Sequence, residues 1–196
     1  MNFTLSPEVE QIQERIRAFV AERIMPLEND PASFDDHENI RVELLKGLRD
    51  EARSQGLWAL SMPKERGGGG LDTIGMAACY EEMARSIFGP VVFNAAAPDD
   101  GNMFVLNRVA TEEQKDKWLQ PIIDGEVRSS IVITEPQPGA GSDPAGMMQT
   151  IAEKKGDTWV INGHKWFITG AQGADHFILL ARTSDEPRRE LTTFLF

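Results

Sequence analysis

A change of hydrophobic period at Ser129 constrains this chain more than any other feature. Up to that point apolar residues recur every three or four positions; beyond it they alternate or run consecutively in short segments bounded by turn residues. Helical stripes and pleated strands bury their apolar faces in different layers, so the switch marks a boundary between two bodies. The expected fold class is α+β: an all-α helical domain over 1–127, then an antiparallel β-barrel-like domain over 128–196.

In the first part, Ser6-Pro7-Glu8 supplies a hydroxyl cap, a proline at the first helical position and an acid in the first turn. Val9, Ile12, Ile16, Phe19, Val20 and Ile24 form one apolar stripe of a helix that runs to Pro26. Val42, Leu44, Leu45, Leu48 and Ala52 predict a second helix closed by Gly56. Gly67–Gly70 lacks the Gly-Lys-Ser/Thr ending of a phosphate loop and reads as a flexible connector. Asp72 or Thr73 then caps a third helix with Ile74, Ala77, Ala78, Met83, Ala84 and Ile87 inward and Glu81-Glu82 on a solvated face. The small apolar run Val91–Ala97 suits close approach by another body, and Asp99-Asp100-Gly101 interrupts it. Thr111-Glu112-Glu113-Gln114 is a capping box ahead of the apolar Trp118, Leu119, Ile122 and Ile123.

In the second part, strands are predicted at Ser129–Thr134, Met148–Glu153, Thr158–Asn162, Lys165–Thr169, Asp175–Arg182 and Glu190–Phe196. The last would leave an apolar edge, from which the sequence is expected to stop short of the natural C-terminus. The first strand runs into Thr134-Glu135-Pro136-Gln137-Pro138-Gly139-Ala140-Gly141-Ser142-Asp143. Taken alone, this segment reads either as a plain turn or as a donor-rich loop. In the second reading, Gly139 and Gly141 allow a ligand close approach while Thr134 and Ser142 offer hydroxyls.

Charge and cysteine content narrow the function classes. A formal charge of −11 and a pI near 4.8 argue against nucleic-acid binding, which needs clustered Lys and Arg. The single cysteine, Cys79, cannot form an internal disulfide and reads as a packed thiol. Glu8, Glu10 and Glu14 among the first apolar residues fit neither a signal peptide nor a membrane span, giving a cytoplasmic expectation. His37 is expected in an exposed loop, and His164 and His176 lack a third ligand at metal-like spacing, so no metal is expected.

The Thr-Glu-Pro strand end with its Gly-Ser-Asp loop, then Asn162-Gly163-His164-Lys165, then Phe167-Ile168-Thr169, together with Ala97-Pro98-Asp99-Asp100-Gly101-Asn102-Met103 upstream, resemble the acyl-CoA dehydrogenase family. The resemblance covers essentially the whole chain. It implies FAD as cofactor, with Val132, Ile133 and Thr134 at the flavin pyrimidine edge and Phe167, Ile168 and Thr169 along the ring. Ser142 would contact the FAD pyrophosphate or the acyl-CoA, and Phe93, Ala96 and Asp100 would lie near the acyl chain; for Val91–Ala97, ordinary helix packing is an equal alternative. The implied reaction is α,β-dehydrogenation of an acyl-CoA thioester, with an electron-transfer flavoprotein or similar acceptor and a homo-oligomeric full-length protein. The family's catalytic glutamate is expected in a C-terminal helical region absent from this sequence, and Glu135 reads as structural. Two features depart from the common pattern: Gln137-Pro138 lengthens the loop, and Phe167 stands where tryptophan is usual. A non-catalytic binding or assembly module, and a flavin oxidase or monooxygenase, remain alternatives on the same scaffold.

Overall fold

A computed structural model describes residues 4–185 and 191–196. The chain divides into two compact units, Met1–Ala110 and Thr111–Phe196.

The first unit is helical. Helix α1 (Pro7–Phe19) begins where Ser6 accepts a hydrogen bond from the Val9 amide, continues as a π-turn over Val20–Ile24, and ends in a 3-10 segment, Met25–Asn29, that contains Pro26. Helix α2 (Val42–Ser54) buries Leu48 and Ala52 and closes at Gly56, whose φ of +65° suits a residue without Cβ. Helix α3 (Thr73–Met83) is capped by Asp72, which accepts from the Gly75 amide at 2.8 Å. Short α4 (Gly89–Val92) and α5 (Asp99–Val109) complete the unit. Ile16, Phe19, Val20, Ile24, Leu48, Ala52, Leu60, Cys79, Met83, Phe88 and Phe93 share one core. Burial pushes the Cys79 thiol up to about 11, as expected of a packed, unreactive sulfur.

Three expectations for this unit need correction. The glycine run is not a flexible connector: Gly69 and Gly70 donate to Ala59 and Met62 carbonyls, and a Cβ on Gly68 would stand 2.2 Å from the Met62 oxygen. It is a strap laid flat on Leu57–Pro63, and glycine is needed for that closeness. Ile74 and Ala77 of α3, and Ala84 and Ile87 beyond its end, are exposed; α3 buries Met76 and Cys79 together with the expected Met83. Glu82 is buried, not solvated: its carboxylate meets Arg17 at 2.7 Å and Arg85 at 3.3 Å.

The second unit opens with α6 (Glu112–Gln114), whose capping box is formed at Thr111 and Gln114, a π-turn over Lys115–Leu119 and α7 (Gln120–Ile123). Strands β1 (Ser129–Val132), β2 (Ile151–Lys155), β3 (Thr158–Asn162), β4 (His176–Arg182) and β5 (Leu191–Leu195) form a single sheet; a short helix, α8 (Pro144–Met147), precedes β2. The helical-then-sheet order holds, but the sheet is mixed and not purely antiparallel. β2–β3 and β4–β5 are antiparallel hairpin-like pairs, whereas β1–β4 is parallel and β2 meets β4 in parallel at Ile151 and Arg182. The chain returns to β4 in the direction of β1 after a long excursion, which a two-residue turn could not achieve. Val132, Ala152, Leu179 and Ala181 are buried with Ile161, Ile168, Phe177 and Phe194 packed on them. Lys165–Thr169 is not a strand. Glu190, predicted to open the last strand, lies outside the described residues.

Candidate functional site

The site in the second unit is assembled from the end of β1, the loop that follows, and 165–169. The Trp166 amide donates to the Thr134 carbonyl at 3.1 Å, and the Ser130 hydroxyl donates to the Thr169 carbonyl at 2.8 Å. The Glu135 amide donates to the Gly141 carbonyl at 3.0 Å, folding the loop back beside the strand end. Val132–Thr134, the Ser142 loop and Phe167–Thr169 are thus drawn into one neighbourhood within this unit.

A buried ion pair holds them there. Lys165 Nζ lies 3.1 Å from Glu135 Oε1 and also donates to the Ile133 carbonyl at 2.8 Å. The carboxylate accepts the amides of Gln149 at 2.7 Å, Thr150 at 2.8 Å and Ala140 at 3.3 Å. Desolvation alone would raise the Glu135 pKa. The Gln149 and Thr150 amides and the Lys165 ammonium outweigh it and hold the group at about 2. Burial pushes the Lys165 pKa down, and Glu135 opposes that shift. A carboxylate so saturated with donors has no lone pair or basicity to spare for proton abstraction. Glu135 is a keystone.

This pair also revises the reading of the glycines. A Cβ on Gly139 would stand 2.5 Å from Glu135 Oε2, so that glycine makes room for the carboxylate and not for a ligand. Of the two loop glycines, it is Gly141, at φ +60° with open space where a Cβ would be, that is required for its backbone conformation.

The residues that the sequence singled out occupy distinct environments. Phe167 is 80% exposed, held at φ +52° with its ring 4.6 Å from that of Trp166. Thr169 and Ser142 are exposed, Ile133, Thr134 and Ile168 half-buried, and Val132 buried. An apolar ring offered to solvent on a strained backbone, flanked by accessible hydroxyls, suits stacking of a flat heteroaromatic ligand. In the first unit, Phe93 is a core residue, fully enclosed with its ring 5.4 Å from Phe19. Ala96 is half-buried, and its carbonyl accepts from the Asp100 amide at 3.0 Å. The half-buried Asp100 carboxylate accepts from Ser61 Oγ at 3.1 Å and from the Tyr80 hydroxyl. Burial, then that carboxylate, pushes the Tyr80 phenol up.

The sequence reading missed Lys165 and Ser130 as organisers. The available signal was a carboxylate at the end of an apolar strand, which demands a cation or several N–H donors once buried. Among the described residues no group of three or more His, Cys, Asp or Glu could hold a metal ion, and no helix is long and apolar enough to cross a membrane.

Comparison with known proteins gives this geometry a family. Residues 6–126 match the acyl-CoA dehydrogenase N-terminal domain, and residues 130–196 match the acyl-CoA dehydrogenase middle domain. The chain belongs to the acyl-CoA dehydrogenase family. It is 38% identical over 175 residues to acyl-CoA dehydrogenase family member 10 of Mus musculus, covering 85% of this chain and 16% of the mouse protein. The structure of a putative acyl-CoA dehydrogenase from Mycobacterium abscessus superposes with a TM-score of 0.83 at 34% identity, over 98% of this chain and 50% of that one. A glutaryl-CoA dehydrogenase from Mycobacterium smegmatis in complex with FADH2 matches with a TM-score of 0.72 at 26% identity, over 98% of this chain and 46% of that one. The chain therefore spans half or less of these three proteins.

Proposed function

We propose that this chain is the N-terminal and middle part of an FAD-dependent enzyme that removes hydrogen from the α and β carbons of an acyl-CoA thioester. The single observation that carries the reading is the exposed Phe167 ring, fixed beside Thr169 and the β1 end by the Glu135–Lys165 pair. Family membership, and an FADH2 complex among structures of the same fold, support it.

The residues fit a flavin on physical grounds. Phe167 supplies an apolar face, Ser142 and Thr169 are exposed, and Val132–Thr134 lies in the same neighbourhood. When bound, FAD would supply hydride acceptance at its N5 atom. The chain's own part is positional. Thr169 would hold the ring near that atom, Phe167 would cover its face and exclude water, and Ser142 would bind a phosphate or the thioester portion of the ligand. Fixing the reacting atoms in this way is worth several orders of magnitude in rate. An electron-transfer flavoprotein or similar acceptor would remove the electrons, and the full-length protein would be a homo-oligomer.

The experiment is to express the full reading frame and add saturated acyl-CoA without air. A yellow protein that bleaches bears out the reading. A colourless folded product would make the chain part of a non-catalytic module. Bleaching by a compound lacking a thioester, with rapid recolouring in air, would make it part of an oxidase or monooxygenase.

A further inference from the structure

Strand β3 ends on an exposed asparagine, Asn162, which stands opposite Ile151, and the residue beyond the ladder is the exposed Gly163. Of the seven asparagines in the sequence, Asn162 alone precedes a glycine. The others are hindered. Asn94 and Asn102 are buried, Asn39 donates its side-chain amide to Asp35 at 3.5 Å, and Asn2, Asn29 and Asn107 are followed by the bulkier Phe3, Asp30 and Arg108. Among the described residues, the Asn162 side chain and the Gly163 amide have no hydrogen-bond partner. Gly163 is itself fixed by packing, since a Cβ there would stand 2.2 Å from Thr150 Oγ1 and 2.6 Å from Thr150 Cβ. A buried threonine thus keeps beside Asn162 the one residue type that leaves its own amide unobstructed.

We propose that Asn162 is a site of spontaneous covalent modification, deamidating to aspartate and isoaspartate in the folded protein and so loosening the hold of Lys165 on 165–169. The Gly163 nitrogen, its proton taken by hydroxide, bonds to the Asn162 side-chain carbonyl carbon. The bond from that carbon to the side-chain nitrogen breaks, and ammonia leaves with a proton from water. The resulting five-membered imide takes up one water. Opening at one carbonyl leaves an aspartate on the ordinary main chain; opening at the other leaves an isoaspartate, whose main chain runs through the β-carbon and is one atom longer. Nothing is oxidised or reduced, and water is the sole co-reactant. Nucleophile and carbonyl belong to adjacent residues and neither is tied up by another group, so little has to be broken before they meet. The added atom falls between β3 and Lys165, whose ammonium reaches Glu135 and the Ile133 carbonyl.

The test uses wild-type protein expressed from its full reading frame, aged under mildly alkaline conditions in which it stays folded, then digested and weighed peptide by peptide. The peptide that contains Asn162 should gain the mass of an amide-to-acid exchange and split into two chromatographic forms, aspartyl and isoaspartyl. Its rate should exceed that of each of the six other asparagines of this sequence by about tenfold or more. The free peptide Val160-Ile161-Asn162-Gly163-His164-Lys165 serves as the unfolded reference, and the folded protein should convert within about tenfold of it. Slower conversion than that in the folded protein, or earlier conversion at another of these asparagines, overturns the proposal. The effect on Lys165 is read separately by urea unfolding. Fully converted protein should unfold at lower urea than Asn162→Asp, which carries the same new charge on a main chain of ordinary length. Equal midpoints would show that the longer link leaves Lys165 undisturbed, and would overturn that half of the proposal.

Discussion

Glu135 and Lys165 stand 3.1 Å apart with 1% and 8% of their side chains exposed, and through them the end of β1, the glycine loop and 165–169 become one rigid piece. Removing one member strands the other as a buried charge, at a cost of about 3–5 kcal/mol. Urea unfolding of Glu135→Ala and of Lys165→Met should each show a loss of that size. Replacing both together should cost less than the sum, because no charge is then stranded. Additive losses would mean that the two side chains act independently.

The same carboxylate gives an acid limit to stability. Its pKa is near 2 in the folded chain against about 4.3 in an unfolded one. The folded value is depressed, so the contribution is fully present above about pH 4.3 and lost as pH falls toward 2. The difference in unfolding free energy between the wild type and Glu135→Gln should therefore shrink by about 3 kcal/mol across that window. A difference that stays flat between pH 5 and pH 2.5 would show that the backbone amides and Lys165 do not hold the proton off.

How far the fold could be read in advance follows from the range of the forces. Local chemistry was legible: the Ser6 and Asp72 caps, the Thr111 capping box, and β1 and β3 stand where hydroxyls, carboxylates and alternation put them. Glu82 was not, because Arg17 reaches it from 65 positions away, and nothing near Glu82 announces that partner. The failed strand over Lys165–Thr169 has the same cause. Its β-rich composition suits pairing, yet its backbone is spoken for by single bonds to Thr134 and Ser130, and Phe167 takes a left-handed φ that no ladder tolerates. The site itself was legible as residue types in a pattern; the reason for Gly139 was not, since it lies in a side chain that folds back on it.

Gly139 and Gly141 should therefore respond differently to alanine. At Gly139 the added Cβ meets Glu135 Oε2 at 2.5 Å and Glu135 Cβ at 2.6 Å, with no flexible end to swing aside. Overpacking of this kind costs about 1–3 kcal/mol, and here it would also disturb the ion pair. At Gly141 the cost is the left-handed backbone alone, about 1–2 kcal/mol with nothing to strike. Urea unfolding of the Glu135 and Lys165 variants, repeated in each glycine background, should show that Gly139→Ala weakens the Glu135–Lys165 coupling and Gly141→Ala leaves it whole. Equal coupling in both would place the Gly139 contact outside the keystone.

Phe167 separates stability from ligand holding. With 80% of its surface exposed, its ring contributes little to the core, and it sits at φ +52°, where a large side chain has no local advantage. Phe167→Ala should change the unfolding free energy by no more than about 0.5 kcal/mol. Phe167→Gly should raise it by about 1 kcal/mol, because glycine takes that φ without strain. In protein from the full reading frame, both replacements should lose flavin on dialysis, and Phe167→Trp should keep it, since an aromatic face survives. Bound flavin absorbance at about neutral pH is the readout, alongside the melting temperature of the same samples. A large loss of stability in Phe167→Ala, or full flavin retention in Phe167→Gly, would move the ring from the ligand's side to the fold's. The exposed strain would then need another cause.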